Sequence, residues 1–397
     1  MEKKRKIRVR EPLWLGFVKI FARPFARLKW GYKIKGRYRA KKGEKIIVLA
    51  NHQTDIDPLL VRLSVNRYLY TVATDTVFSN RRGSKWLMRL GAIPKKKGLA
   101  DMKSVINMLS VAKNGGSILL FPEGNRSFAE FQFYITENLG SLLKKLKCTI
   151  VIFNFHGGFG VNPRFGSKKR KGPYYGEVKK VLKLEDYEKL SPAELNKIVV
   201  DNLKVFDANS GYSYKSKARA EYLERMYFLC PKCGDIHSLK SEGNYIKCHN
   251  CGLEVEYTEK LTLKSDDPEF KFTKLVEWYD LQKKWVREYN IEKGKVIFED
   301  SNVTLKLAIP FQDRILIDQG HMSLTDEKLT VGNTSFNVSD TLIATPVSGK
   351  DLCLMINDQD YVISGQDRFN SLKYVLMFNK LDTKMKLEKI DNYFTLE

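Results

Sequence analysis

The sequence predicts an α/β fold. A mostly parallel sheet flanked by helices is followed by a small cysteine-bound module and a β-rich C-terminal region. Three observations predict this. From Lys45 to Phe155, short apolar runs alternate with segments of helical spacing, the pattern of a parallel sheet covered on both faces. Two Cys-x-x-Cys pairs fall between residues 228 and 256. From Lys295 to about Ile363 the apolar runs are short and broken by Asp, Asn and Gly, as strands joined by turns would be. A chain of 397 residues with 43% apolar composition is too long for one core, and two or three units are expected.

Taken in order, residues 12–30 place Leu13, Trp14, Phe17, Ile20, Phe21, Phe25 and Leu28 at helical spacing, with Lys19, Arg23 and Arg27 opposite. This predicts an amphipathic helix, kinked at Pro24 where a backbone donor is missing. A basic face opposed to Trp and Phe suits a lipid interface; the same pattern suits a helix packed on its own domain. Lys45–Ala50 reads as a buried strand, and Asp57-Pro58 as an N-cap with a first-turn proline. Leu69–Thr74 is a second strand. Trp86–Leu90 and Met102–Val111 have helical spacing, and Gly115-Gly116 ends the second of these. Ser117–Phe121 is a strand running into a loop, Glu137–Lys147 a helix, and Thr149–Phe155 a buried strand. Lys274–Tyr289 reads as a linker helix and Phe369–Leu381 as a closing one. The expected divisions are 1–42, a basic amphipathic docking segment; 43–225, the α/β domain; 226–260, the cysteine module; and 261–397, the linker helix with the β-rich region. That last region resembles pleckstrin-homology or GRAM domains, small barrels capped by a C-terminal helix.

The net charge is +23, which implies an anionic partner, either nucleic acid or an acidic lipid surface. Residues 1–45 hold 17 Lys or Arg against 3 Glu, a net +14. The largest charge block therefore sits beside the amphipathic helix and not beside the cysteine module, which favours an anionic membrane surface over nucleic acid. Lys168, Lys169, Arg170 and Lys171 add a second basic run, solvated by default and attractive to an anionic leaflet. No stretch reaches the roughly 20 apolar residues that a spanning helix needs. The expected location is cytoplasmic, peripheral on the inner face of the cell membrane.

Ligands of such a sheet sit beyond the carboxyl ends of its strands. Two groups of residues fall there. After the first strand comes Asn51-His52-Gln53-Thr54-Asp55-Ile56-Asp57. An imidazole is the natural general base near neutral pH, and a nearby carboxylate holds its tautomer and stabilises the imidazolium. Asp57 suits that role, with Asp55 a competitor. After the strand Ser117–Phe121 comes Pro122-Glu123-Gly124-Asn125-Arg126-Ser127. Gly124 lets the backbone pass close to a ligand, and Arg126 offers a planar fork for a phosphate. Glu123 either orients an acceptor or ties Arg126 in place.

Together, in this order and about 70 residues apart, these two groups resemble the glycerolipid acyltransferases of the 1-acylglycerol-3-phosphate type. The first motif of that family, Asn-His-x-x-x-x-Asp, is matched by Asn51, His52 and Asp57. The third, Phe-Pro-Glu-Gly-Thr-Arg-Ser, is matched except at Asn125, where Thr is usual. The second, Gly-x-Ile followed by a basic residue, is met by Gly91-Ala92-Ile93 and Lys97, which stands where Arg is common. The fourth, an apolar run with Pro, is poorly kept in Val151–Gly158.

The resemblance implies that His52 and Asp57 are catalytic. It implies that Asn51, Lys97, Glu123, Gly124, Arg126 and Ser127 bind substrate. His52 would take the proton of an acceptor hydroxyl as that oxygen attacks the carbonyl of an acyl thioester, either acyl-ACP or acyl-CoA. The acceptor would be a lysophospholipid or a glycerol phosphate. Backbone N–H groups near Gly124 are candidate donors to the oxyanion. No Gly-x-Ser-x-Gly elbow is present, which argues against a serine hydrolase. His156 reads as a satisfied structural histidine.

Cys230, Cys233, Cys248 and Cys251 form two Cys-x-x-Cys knuckles with 14 residues between them. That spacing suits a structural Zn2+ held tetrahedrally by four thiolates. Cys148 and Cys353 read as inert core residues. Zinc ribbons also bind nucleic acid, so the alternative function is a nucleic-acid-binding protein. A lipid-binding acyltransferase homologue without activity is a third reading.

Overall fold

The computed structural model describes residues 13–96, 101–128, 134–347 and 349–381. The first sheet has seven strands: β1 (Tyr32–Ile34), β2 (Ile46–Ala50), β3 (Leu69–Thr74), β4 (Ala92–Lys95), β5 (Ser117–Leu120), β6 (Thr149–His156) and β7 (Tyr174–Leu182). Their order is β1-β7-β6-β2-β5-β3-β4. The five strands from β6 to β4 run parallel, β7 is antiparallel to β6, and β1 lies along β7. The apolar run of β2 follows from burial on both faces. Ile46, Val48 and Ala50 enter one core, and Ile47 and Leu49 the other.

The helices of this part are α1 (Leu13–Trp30), α2 (Asp57–Ser64), α3 (Arg81–Arg89), α4 (Met102–Lys113), α5 (Asn138–Leu146), α6 (Gly158–Val161), α7 (Leu184–Tyr187) and α8 (Pro192–Leu203). One face of the sheet is covered by α4, α5 and α8 through Met108, Val111, Leu143, Leu146, Leu195 and Val199. The other face takes α2 through Leu60, Val61 and Leu63.

Two expectations need correction here. Asp57 does not cap its own helix: it is the first helical residue, after Ile56, and its carboxylate turns back to the preceding loop. Helix α1 runs through Pro24 and is amphipathic as expected, but two of its cations point inward. Lys19 is buried and donates to the Val65 carbonyl at 2.9 Å, and Arg23 donates to Leu63 O at 3.1 Å. They satisfy carbonyls left open at the C-terminal end of α2, where cations are favoured. Phe17, Ile20, Phe21, Phe25 and Leu28 are 52–87% exposed.

A four-stranded antiparallel sheet follows: β8 (Leu239–Glu242), β9 (Tyr245–Cys248), β10 (Glu254–Tyr257) and β11 (Leu263–Lys264). Helix α9 (Leu275–Glu288) leads to a third sheet. Its strands are β12 (Phe298–Ala308), β13 (Ile315–Leu324), β14 (Lys328–Val331), β15 (Thr334–Asn337), β16 (Thr341–Val347), β17 (Asp351–Ile356) and β18 (Gln359–Ser364), with α10 (Ser371–Leu381) closing the described chain. The order is β15-β14-β13-β12-β18-β17-β16, antiparallel throughout. One apolar core runs from the α2 side of the first sheet through Tyr227 and Trp278 into Phe298, Leu305 and Tyr374. Trp278, fully buried, stacks on Tyr227 at 4.2 Å between ring centroids.

Candidate active site

Strands β2 and β5 are neighbours, so the loops after them share one rim. His52 lies two residues past β2. Its Nδ1 is 3.0 Å from Asp57 Oδ2, and its ring stacks on Phe121 with centroids 4.3 Å apart. The imidazole is 18% exposed and Asp57 is fully buried. With Nδ1 held by the carboxylate, Nε2 carries the lone pair, and it makes no hydrogen bond among the described residues. That is the arrangement of a base oriented from behind.

Asp57 is surrounded by donors. Oδ2 accepts from the Gln53 and Thr54 N–H groups at 2.7 and 2.8 Å as well as from His52. Oδ1 accepts from Thr54 Oγ1 and, at 2.8 Å, from the Tyr174 hydroxyl. Burial, and then the charge of Asp57, push the Tyr174 hydroxyl well above its ordinary pKa, so it stays a donor. Such a carboxylate is fixed in position and fully solvated by protein. Tyr174 was not legible in the sequence. It arrives on β7, 117 residues after Asp57.

The second loop closes on the first. Ser127 N–H donates to His52 O at 2.9 Å, and His52 N–H reaches Glu123 Oε1 at 3.4 Å. Arg126 reaches the carbonyls of Gln53 and Asn162, both at 3.4 Å. Burial lowers the Arg126 pKa, opposed by Asp55 and Asp57. These long contacts leave the guanidinium able to take a stronger acceptor. Gly124 has φ +67° and open space where a Cβ would stand. Its own N–H donates to Phe121 O at 3.1 Å.

Asn51 spends both ends of its amide on the Phe155 backbone, at 2.7 and 3.0 Å. Its place is to tie the His52 loop to β6. Behind the same loop, Gln53 accepts from Gly158 N–H at 2.8 Å and donates to the buried Asp207 at 3.1 Å. Asp207 also accepts from Gly157 N–H at 2.7 Å, and burial raises its carboxyl to about 7. A Cβ on Gly157 would lie 2.0 Å from Pro173 O, and one on Gly158 2.7 Å from Gln53 Oε1. Glycine at both positions makes room for this packing. His156 lies apart, paired with Glu177 at 3.1 Å and stacked on Tyr175.

His52, Glu123, Gly124 and Arg126 all line one cavity of about 1820 Å³. Asn51 and Ser127 do not line it. Lys97 lies outside the described residues. Lys95, two positions earlier, does line the cavity, and burial lowers its pKa against Asp101 and Asp75. Its lining mixes apolar side chains, among them Leu59, Leu87, Val105, Met108, Leu139 and Leu142, with the acids Asp55, Glu123 and Asp313 and the cations Arg126, Arg164, Arg314 and Lys350. The last two come from the third sheet, whose β16 also reaches the second loop. Asn125 Nδ2 meets Thr345 Oγ1 at 3.4 Å, and Arg164 bridges Arg126 O and Pro346 O, both at 2.9 Å.

The four cysteines gather far from this cavity in sequence. Their Sγ atoms all lie within 4.8 Å of one another, with Cys230–Cys251 and Cys233–Cys248 each at 3.7 Å. A tetrahedron with Zn–S of about 2.3 Å has S–S edges of about 3.8 Å, so the cluster fits that ion. Gly234 and Gly252 follow the knuckles with φ +74° and +76° and return their N–H groups to Cys230 O and Cys248 O. A left-handed residue is what turns each knuckle back on itself.

Comparison with known proteins adds the following. Residues 31–155 match the family model described as Acyltransferase, a span that includes His52, Asp57, Glu123 and Arg126. The chain is similar in structure to the 1-acyl-sn-glycerophosphate (LPA) acyltransferase PlsC from Thermotoga maritima. The identity is 20% and the TM-score 0.38, over 48% of this chain and 86% of that one. No curated protein matches the chain.

Proposed function

We propose that the protein transfers a fatty acyl group from an acyl thioester, acyl-ACP or acyl-CoA, to the hydroxyl of a lysophospholipid or glycerol-phosphate acceptor. The acceptor we assign first is 1-acylglycerol-3-phosphate, giving phosphatidate. The observation that carries this reading is the His52 imidazole, held at Nδ1 by a buried carboxylate with Nε2 unengaged on a cavity lined by both apolar and cationic side chains.

In this reading the acceptor hydroxyl donates its proton to His52 Nε2 as its oxygen attacks the thioester carbonyl. Asp57 stabilises the imidazolium so formed. The tetrahedral intermediate collapses, the C–S bond breaks, and the imidazolium returns its proton to the thiolate. An ester and a thiol leave. The phosphate of the acceptor sits on Arg126, with Lys97 or Lys95 as a second cation. The apolar side chains of the cavity take acyl chain.

The same proposal covers the rest of the molecule. The exposed apolar face of α1 docks on the inner, anionic leaflet, in keeping with the chemistry of interfacial helices. The cysteine cluster of residues 226–260 holds a structural Zn2+, which supplies folding energy and no chemistry, since all four positions are taken by protein. Residues 261–397 form a region of pleckstrin-homology or GRAM type. The test is transfer of labelled acyl-CoA or acyl-ACP to lysophosphatidate. His52→Ala should lower turnover by about 10²–10⁴-fold, and turnover at the wild-type rate would refute the assignment.

A further inference from the structure

The third sheet does more than wall the cavity. Strand β13 pairs with β12 along its length, but with β14 only from Met322 to Leu324. Its first half is therefore an open edge of the sheet, an arm of one strand, since the β12 residues beside it pair on their other side with β18. Ile315, Leu316 and Ile317 are consecutive apolar residues, 46%, 53% and 43% exposed. Successive side chains of a strand point to opposite faces, so both faces of this edge expose apolar surface. The loop before the arm is pinned to the first domain. Phe311 N–H donates to Phe78 O at 2.8 Å, Arg314 Nε to Ser79 Oγ at 2.9 Å, and Arg81 N–H to Asp313 Oδ1 at 3.1 Å.

These bonds seat the arm against the start of α3. That helix reads RRGSKWLMR, with no acidic residue, and it exposes Arg81, Arg82, Lys85, Arg89 and Trp86. Trp86 is 64% exposed, with the Arg89 guanidinium 5.6 Å from its ring. Exposed cations around an exposed indole, beside an uncovered apolar strand, match an anionic headgroup layer over acyl chains. Asn80, Leu87, Asp313 and Arg314 carry the patch into the cavity wall.

We propose that α3 and the arm Phe311–Ile317 form a second lipid-docking surface, distinct from α1, that takes an anionic phospholipid bilayer and sets the cavity against it. An uncovered apolar strand also invites pairing with another strand. The cationic, Trp-bearing helix beside it is what favours lipid. The inference rests on the proposed acyl transfer to a lipid acceptor for its purpose, but not for its test.

The test is co-sedimentation of the full chain with vesicles of phosphatidylcholine alone and of phosphatidylcholine mixed with phosphatidylglycerol. Arg82→Glu with Lys85→Glu should weaken binding to the anionic vesicles by at least roughly 25-fold, since each cation near such a surface is worth about fivefold. It should leave the neutral vesicles unaffected. Leu316→Asp with Ile317→Asp should weaken binding to both by more than about tenfold. Phe21→Asp on α1 should leave residual anionic binding that these changes then abolish. All the sites are exposed, and an unchanged melting temperature checks the fold. Wild-type sedimentation of both patch variants would overturn the proposal. So would a change from dimer to monomer in the Leu316/Ile317 variant with vesicle binding intact, which would assign the arm to a second copy. Transfer to a short-chain lysophosphatidate in free solution should be the same in all these variants. Its absence from wild type would sink the enzymatic reading and leave the vesicle result to be judged alone.

Discussion

The His52–Asp57 pair and the four-cysteine cluster are both tight groups of polar side chains, and they differ in what they leave unsatisfied. Asp57 has all its oxygens engaged by protein, yet the imidazole it holds presents one nitrogen to a large cavity. The cysteine cluster turns all four sulfurs on one another. A site open on one side can exchange a proton with something that comes and goes. A closed one can only hold. The difference teaches where activity and where stability should be lost.

The largest effect that would break this contrast is at His52. His52→Ala should cost about 10²–10⁴ in turnover with little change in melting temperature, because only a ring stack and one hydrogen bond are lost. A large drop in stability would mean that the imidazole is structural. Cys233→Ser should show the reverse. Metal content measured by atomic absorption should fall, and unfolding free energy should drop on the order of 4 kcal/mol. If acyl transfer per folded molecule fell instead, the closed site would not be closed.

Asp57→Asn sharpens the comparison because it touches both quantities. An amide NH2 would face donors already committed to a carboxylate, so stability should fall by about 1–3 kcal/mol. The imidazole would also lose the acceptor that fixes its tautomer, and turnover should fall by at least roughly tenfold. Retained activity with lost stability would separate the two roles.

The subtlest readout is a pH slope at Asp207, which braces Gln53 behind His52. Its carboxyl is raised to about 7 by burial, against an ordinary value of about 3.9. Between these values the folded chain binds more protons than the unfolded one, so stability falls as pH rises through that window and levels off above it. Asp207→Asn should flatten that part of the curve. Melting curves from acid to neutral pH check it, and an unchanged slope would place the titration elsewhere.

What could be read from the chain was local. His52 and Asp57 lie five residues apart, and their meeting needs only one turn of chain into α2. The cysteines announce their cluster by spacing. Strands β2, β3, β5 and β6 were legible because burial on both faces makes them uninterrupted apolar runs. Strand β7 was not, because its half-exposed face admits Glu177, Lys179 and Lys180 and hides the pattern. Helix α8 carries a start signal, the capping box of Ser191 and Glu194, although it is absent from the expectations.

By itself, then, the sequence determined the kind of sheet, the paired imidazole and carboxylate, and the sulfur cluster, since each depends on neighbours within a few residues or on an apolar period. Only the tertiary structure decided that Tyr174 completes the shell of Asp57, that Lys95 and the third sheet share the cavity, and that α1 turns Lys19 inward and its phenylalanines outward. Those outcomes depend on which surfaces meet across long loops. No local pattern encodes that, because the free energy of such contacts is set by the partner and not by the segment.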